Sequence, residues 1–350
     1  MRIAVHGASG FTGRLTVAEV RRRGLTPVLV GRNEDRLRKA AAEAGAAGAE
    51  IRVAGLDEPV ALAEALRDCD AVINCAGPFT PMGKPVIRAA VTAGTHYLDT
   101  TGEQHYIRRV LDGFREDVER AGVAVVPAMA DDGGPGDLIA HLVAARLGSV
   151  AELVVADLRR PGAASRGTAR SMAAVFAQGP LEYVDGEWHT AGEAPAPLSA
   201  SGGSASMAVP GEEGEAAVAV FALPGVVTVP RHVRARRVRS VIRAEAAAMF
   251  VALTPDVVDT IPETPDEAAR NASRWLMLAE AVDSEGNRAR GWVTGSDGYG
   301  MTAVIAVEGA RRLVADGAPA GTLTPAQAFD PADFLDHLTT HGVTWQIVQS

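Results

Sequence analysis

From the N-terminus to Val126 the chain alternates short apolar runs with longer stretches whose apolar residues recur at helical spacing. The runs Ile3–Val5, Pro27–Val30, Ile51–Ala54, Ala71–Cys75, His96–Leu98 and Val123–Val126 read as buried strands. Between the first two, Phe11 to Arg23 sets Phe11, Leu15 and Ala18 on one helical face and stops at Gly24. Asn33 is placed to cap the next helix, with Glu34 and Asp35 in its first turn. Asp57 is placed to cap a third, running to Arg67. A helix from about Lys84 to Gly94 and a long one from Glu103 to Ala121, stopped by Gly122, complete the set. Strand alternating with helix to a sixth strand predicts an α/β fold with a parallel sheet, doubly wound and covered on both faces.

The rhythm changes after Pro127. Helical patterns cover Asp137 to Leu147, Thr168–Ala177, Asp266 to Val282, Met301 to Ala315 and Pro331 to His341. Strand patterns cover Glu152–Leu158, Ala216–Leu223, Val233–Ile242, Arg288–Thr294 and a last short run, Val343–Val348. Gly179 to Gly214, rich in Gly, Ala, Ser and Pro, reads either as a long loop holding a hairpin or as a partly mobile stretch. Long strands in series predict a second domain of α+β type on a mainly antiparallel sheet. The expected division is 1–138, 139–315 and a C-terminal segment, 316–350, returning to the first domain through the Gly/Pro-rich Asp316–Pro325.

Composition narrows the partners. A formal net charge of −9 argues against nucleic acid or an anionic membrane surface. The two cysteines, Cys69 and Cys75, supply neither a disulfide framework nor a zinc site and fit a reducing compartment. No apolar run is long enough to span a bilayer, and the glycine-rich turn at residue 7 interrupts any signal-peptide pattern. A cytoplasmic protein acting on a small molecule is expected. The second-domain sheet offers a surface for a homodimer.

The turn after the first strand reads Gly7-Ala8-Ser9-Gly10-Phe11-Thr12-Gly13. Between a strand and a helix, such glycines permit a tight turn, the approach of a pyrophosphate to the main chain, and close helix–strand packing. Free N–H groups at the helix start then face the phosphates. This is the nucleotide loop of a Rossmann domain. At the end of the second strand an NAD site wants a carboxylate and an NADP site an arginine. The chain has Arg32 there, followed by Asn33, with Arg36 as a second contact. A cation at a helix N-terminus opposes the helix dipole, so a bound phosphate is the better account of it. The expected cofactor is NADP(H). Asp57 is placed to touch the adenine amine, and Ala76, Gly77 and Pro78 to let the cofactor cross the sheet. Cys75 reads as a packed side chain.

Short-chain dehydrogenase chemistry needs a tyrosine four residues before a lysine. Tyr97, Tyr106, Tyr183 and Tyr299 are followed at that spacing by Thr101, Val110, Glu187 and Ala303. Other blocks are more telling: Asn74-Cys75-Ala76-Gly77-Pro78-Phe79, Gly94 to Glu103 with Tyr97-x-Asp99-x-x-Gly102-Glu103, Ser165 to Ser171, and Gly321-Thr322-Leu323-Thr324-Pro325. Together with the glycine loop they resemble the saccharopine dehydrogenase-like oxidoreductases, in particular the bacterial trans-acting enoyl reductases. The resemblance implies an NADP-binding Rossmann domain, an α+β domain, a returning C-terminal segment, and reduction of a C=N or conjugated C=C bond. One block departs from it. Where relatives carry Gly-Phe-Asp-x-x-Pro-Ser-Asp, this chain reads Ala130-Asp131-Asp132-Gly133-Gly134-Pro135-Gly136-Asp137, with Asp131 at the Phe position. That points to a more polar pocket.

Hydride transfer asks the protein for geometry and water exclusion, plus an acid to protonate the atom left behind. The candidates are Lys84, Tyr97, Asp99 and Asp132, with Thr101 and Gly102 lining the nicotinamide through their backbone. Tyr97 also fits a core position and Asp99 a turn cap. A non-catalytic NADP-binding regulator or scaffold, and an NADP-dependent alcohol or aldehyde oxidoreductase, are the alternatives. His337 and His341 lack a third ligand and read as surface residues, and the tryptophans as packing residues.

Overall fold

The computed structural model describes residues 1–162, 164–191 and 206–349. The first sheet contains β1 (Arg2–His6), β2 (Thr26–Gly31), β3 (Glu50–Val53), β4 (Ala71–Asn74), β5 (His96–Asp99) and β6 (Ala124–Val126). A seventh strand, Gly321–Thr322, completes it beside β6, so the order is Gly321–Thr322, β6, β5, β4, β1, β2, β3, all parallel. The order reverses at β1, and ligands bind such sheets beyond the strand ends at that reversal. The inner strands are apolar and buried on both faces, from Ile3 and Val5 to Val72 and Ile73, which is why the sequence shows runs there without alternation.

The second sheet contains β7 (Val150–Asp157), β8 (Leu181–Val184), β9 (Glu187–Thr190), β10 (Ser206–Ala208), β11 (Glu215–Val220), β12 (Ala235–Arg243), β13 (Arg274–Val282) and β14 (Arg288–Ser296). The first-sheet strand Gly321–Thr322 is β15, and β16 (Thr344–Gln349) ends the chain. Here the order is β10-β11-β12-β7-β13-β14-β16, with the β8–β9 hairpin attached to β12. All pairings are antiparallel except β12 with β7. The expected hairpin after Gly179 is β8–β9, while residues 192–205 of the expected loop lie outside the described residues. Among the described residues no helix is long and apolar enough to cross a membrane.

Several boundaries differ from expectation, each for a physical reason. The stretch Asp266 to Val282 is not one helix: Glu267–Ala272 is helical and Arg274–Val282 is strand β13. Its run Trp275–Ala279 lies between β7 and β14, and continuous apolar runs carry no period that separates strand from helix. The long helix from Glu103 breaks into Gln104–Gly113 and Arg115–Ala121, where Phe114 turns inward and is 9% exposed. The helix expected from Lys84 begins at Phe79, because the Glu103 carboxylate accepts the N–H groups of Phe79 (2.7 Å) and Thr80 (2.8 Å). Asp57 is not a cap. Glu58 precedes the helix Pro59–Leu66 and turns its carboxylate back to Gly55 N (2.8 Å). The C-terminal segment divides between the sheets, with β15 joining the first and β16 the second.

His337 and His341 are half-buried rather than surface residues. His337 faces Glu308 (3.2 Å), which is fully buried and also paired with Arg23, Arg311 and Arg312, while His341 lies against Arg23 (3.5 Å). Burial raises the Glu308 pKa, but the arginine hydrogen bonds outweigh it and hold the carboxyl down at about 2. This cluster ties the helices Phe11–Arg22, Gly298–Arg312 and Pro331–Thr339 together.

Candidate functional site

The strand ends of β1, β4, β5 and β6 lie on one edge of the first sheet and carry most of the candidate site, with β2 adding its own end. At β1 the chain turns through Gly7, whose φ of +76° suits glycine. Its N–H donates to Val30 O and Gly10 N–H donates to Gly7 O. A Cβ at Gly7 would come within 2.8 Å of Ala76 Cβ, so the β1 and β4 turns touch. A Cβ at Gly13 would come within 2.2 Å of Gly7 O, so this glycine lets the helix lie on its strand. No side chain caps the helix that begins at Phe11, which leaves its first N–H groups for an anion. Ser9 O accepts from Arg14, and the Phe11 ring packs edge-on against Tyr299 (5.1 Å).

Beyond β2, Arg32 is exposed, and among the described residues it has neither a hydrogen bond nor an ion pair. Asn33 caps the helix Glu34–Glu43 by accepting from Arg36 N (2.9 Å). Asp57 lies exposed beyond β3. A bare guanidinium, uncapped helix N–H groups and glycines that keep the backbone open together fit a dinucleotide carrying a 2′-phosphate.

Beneath these loops runs a buried polar chain. His6 Nδ1 meets Asn74 Oδ1 (2.8 Å), and Asn74 Nδ2 donates to Tyr97 OH (3.1 Å). The hydroxyls of Tyr97 and Tyr106 both donate to Asp99 Oδ2, at 2.9 and 3.0 Å. Asp99 Oδ1 accepts Thr101 N (3.2 Å) and Ala128 N (3.0 Å), and Asn74 Oδ1 also accepts Ala76 N (3.1 Å). The chain therefore fixes the ends of all four strands to one another. Burial pushes the Asp99 carboxyl up to about 6 against these donors, and lifts both tyrosines well above their ordinary range. Thr101 is buried and receives Glu103 N on its hydroxyl (3.1 Å). Burial also pushes the Cys75 thiol up to about 12, leaving it an inert packing group.

Asp132 follows β6 and is half-buried. A Cβ at Gly102 would come within 2.6 Å of its Oδ2, so the carboxyl lies close against the Gly102 backbone. Burial first, and the neighbouring Asp131 second, push it up to about 7, opposed by Arg159. Asp131 is itself held by Arg159 Nη1 (2.6 Å) and Thr302 Oγ1 (2.9 Å), and Arg159 Nε also donates to Asp157. Arg159 Nη2 is buried without a partner. The second domain roofs this edge. The helix Arg166–Gln178 brings Ser171 so near Gly77 that a Cβ there would lie 2.9 Å from the Ser171 hydroxyl.

The structure thus gathers Gly7, Ser9, Gly10, Phe11, Thr12, Gly13, Ala76, Gly77, Pro78, Thr101, Gly102 and Asp132 along one edge, with Arg32 and Asn33 at its β2 end. Tyr97 and Asp99 lie beneath that edge with no exposed surface. Lys84 is not brought in: it is exposed mid-helix, beside Arg88 one turn on, without a polar partner among the described residues. Arg159 and Thr302 come from elements remote in sequence and carry no local motif, while Asp131 stands beside Asp132 in a quoted block. Asn74 and Tyr106 stand in or beside the quoted blocks, but only their burial shows what they do.

The fold and loop define an α/β protein with an NADP-type Rossmann sheet and a second, mostly antiparallel sheet. Residues 3–126 match the family model for the saccharopine dehydrogenase NADP binding domain, so the first domain is of the kind its sequence blocks resemble and its cofactor is NADP(H). Among curated relatives, a trans-acting enoyl reductase of Mycobacterium ulcerans is 32% identical over 143 residues, covering 40% of this chain and 34% of that protein. A saccharopine dehydrogenase-like oxidoreductase of Bos taurus is 29% identical over 152 residues, covering 39% and 35%. These matches span about a third of each relative. The solved apo saccharopine dehydrogenase (L-Glu forming) of Saccharomyces cerevisiae superposes over 100% of this chain and 99% of its own, with a TM-score of 0.63 at 13% identity. That likeness extends the shared fold through the second domain.

Proposed function

We propose that the protein is an NADPH-dependent reductase of a C=C or C=N bond in a small metabolite, with Asp132 as its proton donor. The observation that carries this reading is the position of Asp132: a half-buried carboxyl against Gly102, on the edge where the glycine loop and the β4 turn meet. The mycobacterial relatives' name, enoyl reductase, favours the C=C bond. Bound NADPH supplies the hydride. The second atom of the reduced bond needs a proton, and a group titrating near 7 both holds and releases one at neutral pH. The carboxylate left behind is eased by the Arg159 charge and regains its proton from solvent on its exposed side.

Tyr97 and Asp99 are positioning residues in this scheme, because they hold the cofactor-bearing turns without reaching the surface. The reading is tested by following NADPH oxidation with an α,β-unsaturated thioester and with a cyclic imine. Turnover of either supports it; NADP+ binding without turnover of any such acceptor turns the reading towards a regulator.

The cofactor preference has a separate test. Arg32→Ala is expected to weaken NADPH binding about tenfold, by loss of a charge-assisted contact, and to leave NADH nearly unaffected. Equal losses measured by titration calorimetry refute the 2′-phosphate role.

A further inference from the structure

The helix carrying Arg36 begins right after Arg32, and Arg36 is not free as Arg32 is. Its Nη2 lies 3.8 Å from Glu263 Oε2, and the other oxygen of Glu263 lies 4.0 Å from Arg166 Nη1. Glu263 stands between the helices Pro255–Thr260 and Glu267–Ala272, in the second-domain part of the chain. Its loop is fastened in place. Arg166 donates from N to Pro262 O (3.0 Å) and from Nε to Ile261 O (2.7 Å). Arg170 pairs with Asp259 (3.4 Å), and Arg14 Nη2 donates to Thr264 Oγ1 (2.8 Å).

These contacts make a strap from the start of the Arg166 helix to the mouth of the nucleotide site. The ion pairs at its tip are long and exposed, with Arg36 57% and Glu263 63% exposed, and pairs of that kind add little to stability. Their position matters more. A 2′-phosphate seated on Arg32 carries about −1.5 to −2 charges and comes beside an arginine already facing a carboxylate.

We propose that Glu263 is a specificity-determining residue of the cofactor site, an internal anion supplied by the second domain that competes with the cofactor's 2′-phosphate for Arg36. This rests on the NADP reading of the β2 end. Bound 2′-phosphate takes Arg36 from Glu263, so cofactor binding releases the tip of the strap. NADH has no such phosphate and leaves the pair in place.

The test uses the full chain and two probes that need no turnover, adenosine 2′,5′-bisphosphate and AMP, alongside NADPH and NADH in titration calorimetry. Glu263→Gln is expected to tighten the bisphosphate and NADPH about three- to fivefold, with AMP and NADH unchanged and the gain shrinking as salt rises. In the double variant with Arg36→Gln the gain is expected to vanish. An unchanged or weakened bisphosphate affinity, an equal gain for AMP, or a gain that survives Arg36→Gln overturns the proposal alone. A parent protein that binds the bisphosphate no better than AMP overturns the NADP reading and this proposal together.

Discussion

Asp132→Asn is expected to lower the rate of NADPH-dependent reduction by about 10²- to 10⁴-fold, the usual contribution of a positioned acid. Affinity for NADP+ stays close to that of the parent, because the loss lies in proton delivery rather than binding. The pH profile supplies the diagnostic readout. The acid form is the active one, so the parent's rate falls as pH rises through about 7. That limb disappears from whatever activity the variant keeps. Persistence of the limb in Asp132→Asn places the donor elsewhere. Stability moves in the same sense. The folded state holds this proton more tightly than the unfolded chain, so parental stability declines as pH rises from the ordinary carboxylate range to about 7. The variant's stability loses that contribution, which denaturant titrations at several pH values would show.

The glycine loop yields the other large effect, and it comes as a contrast. Gly13→Ala places a Cβ 2.2 Å from Gly7 O and 2.8 Å from Ala8 Cα, both backbone atoms with little freedom to withdraw. A loss of about 1–3 kcal/mol of stability is expected from such overpacking, with NADP+ affinity lost as the loop shifts. Gly10→Ala meets only Gly7 O at 3.2 Å, and Gly10 has φ −78° and ψ 171°, which alanine adopts readily. It is expected to spare stability and still weaken NADP+ binding, because its methyl group occupies the approach of the pyrophosphate. Thermal unfolding and calorimetry on the two variants separate the roles. Similar stability losses in both would refute the assignment.

The contrast between these glycines also shows what was legible in the chain. Loop, strands and Arg32 act through neighbours in sequence, so spacing alone exposed them. Glu103 does not. It caps a helix that begins 24 residues earlier, and without that cap the pattern suggested a helix starting at Lys84. Strand β13 was hidden because a central strand covered on both faces looks like any other apolar run. Asp132 was visible as a candidate, but not the reason it differs from Asp99. One carboxyl is saturated with four donors beneath the strands, while the other lies half-open against Gly102 with Asp131 beside it. Arg159 and Glu263 arrive from the second domain and could be assigned only in three dimensions.

Strand β15 bears on how the molecule is made. Gly321 N and Leu323 N donate to Val123 O and Val125 O, across nearly two hundred residues of intervening chain. During synthesis the first sheet therefore waits with β6 as an open edge while strands β7 to β14 of the second sheet leave the ribosome. An N-terminal piece ending near residue 130 keeps the glycine loop but exposes that edge. Such a fragment is expected to self-associate when expressed alone, and to become soluble and monomeric when a peptide spanning residues 318–326 is supplied to fill the gap.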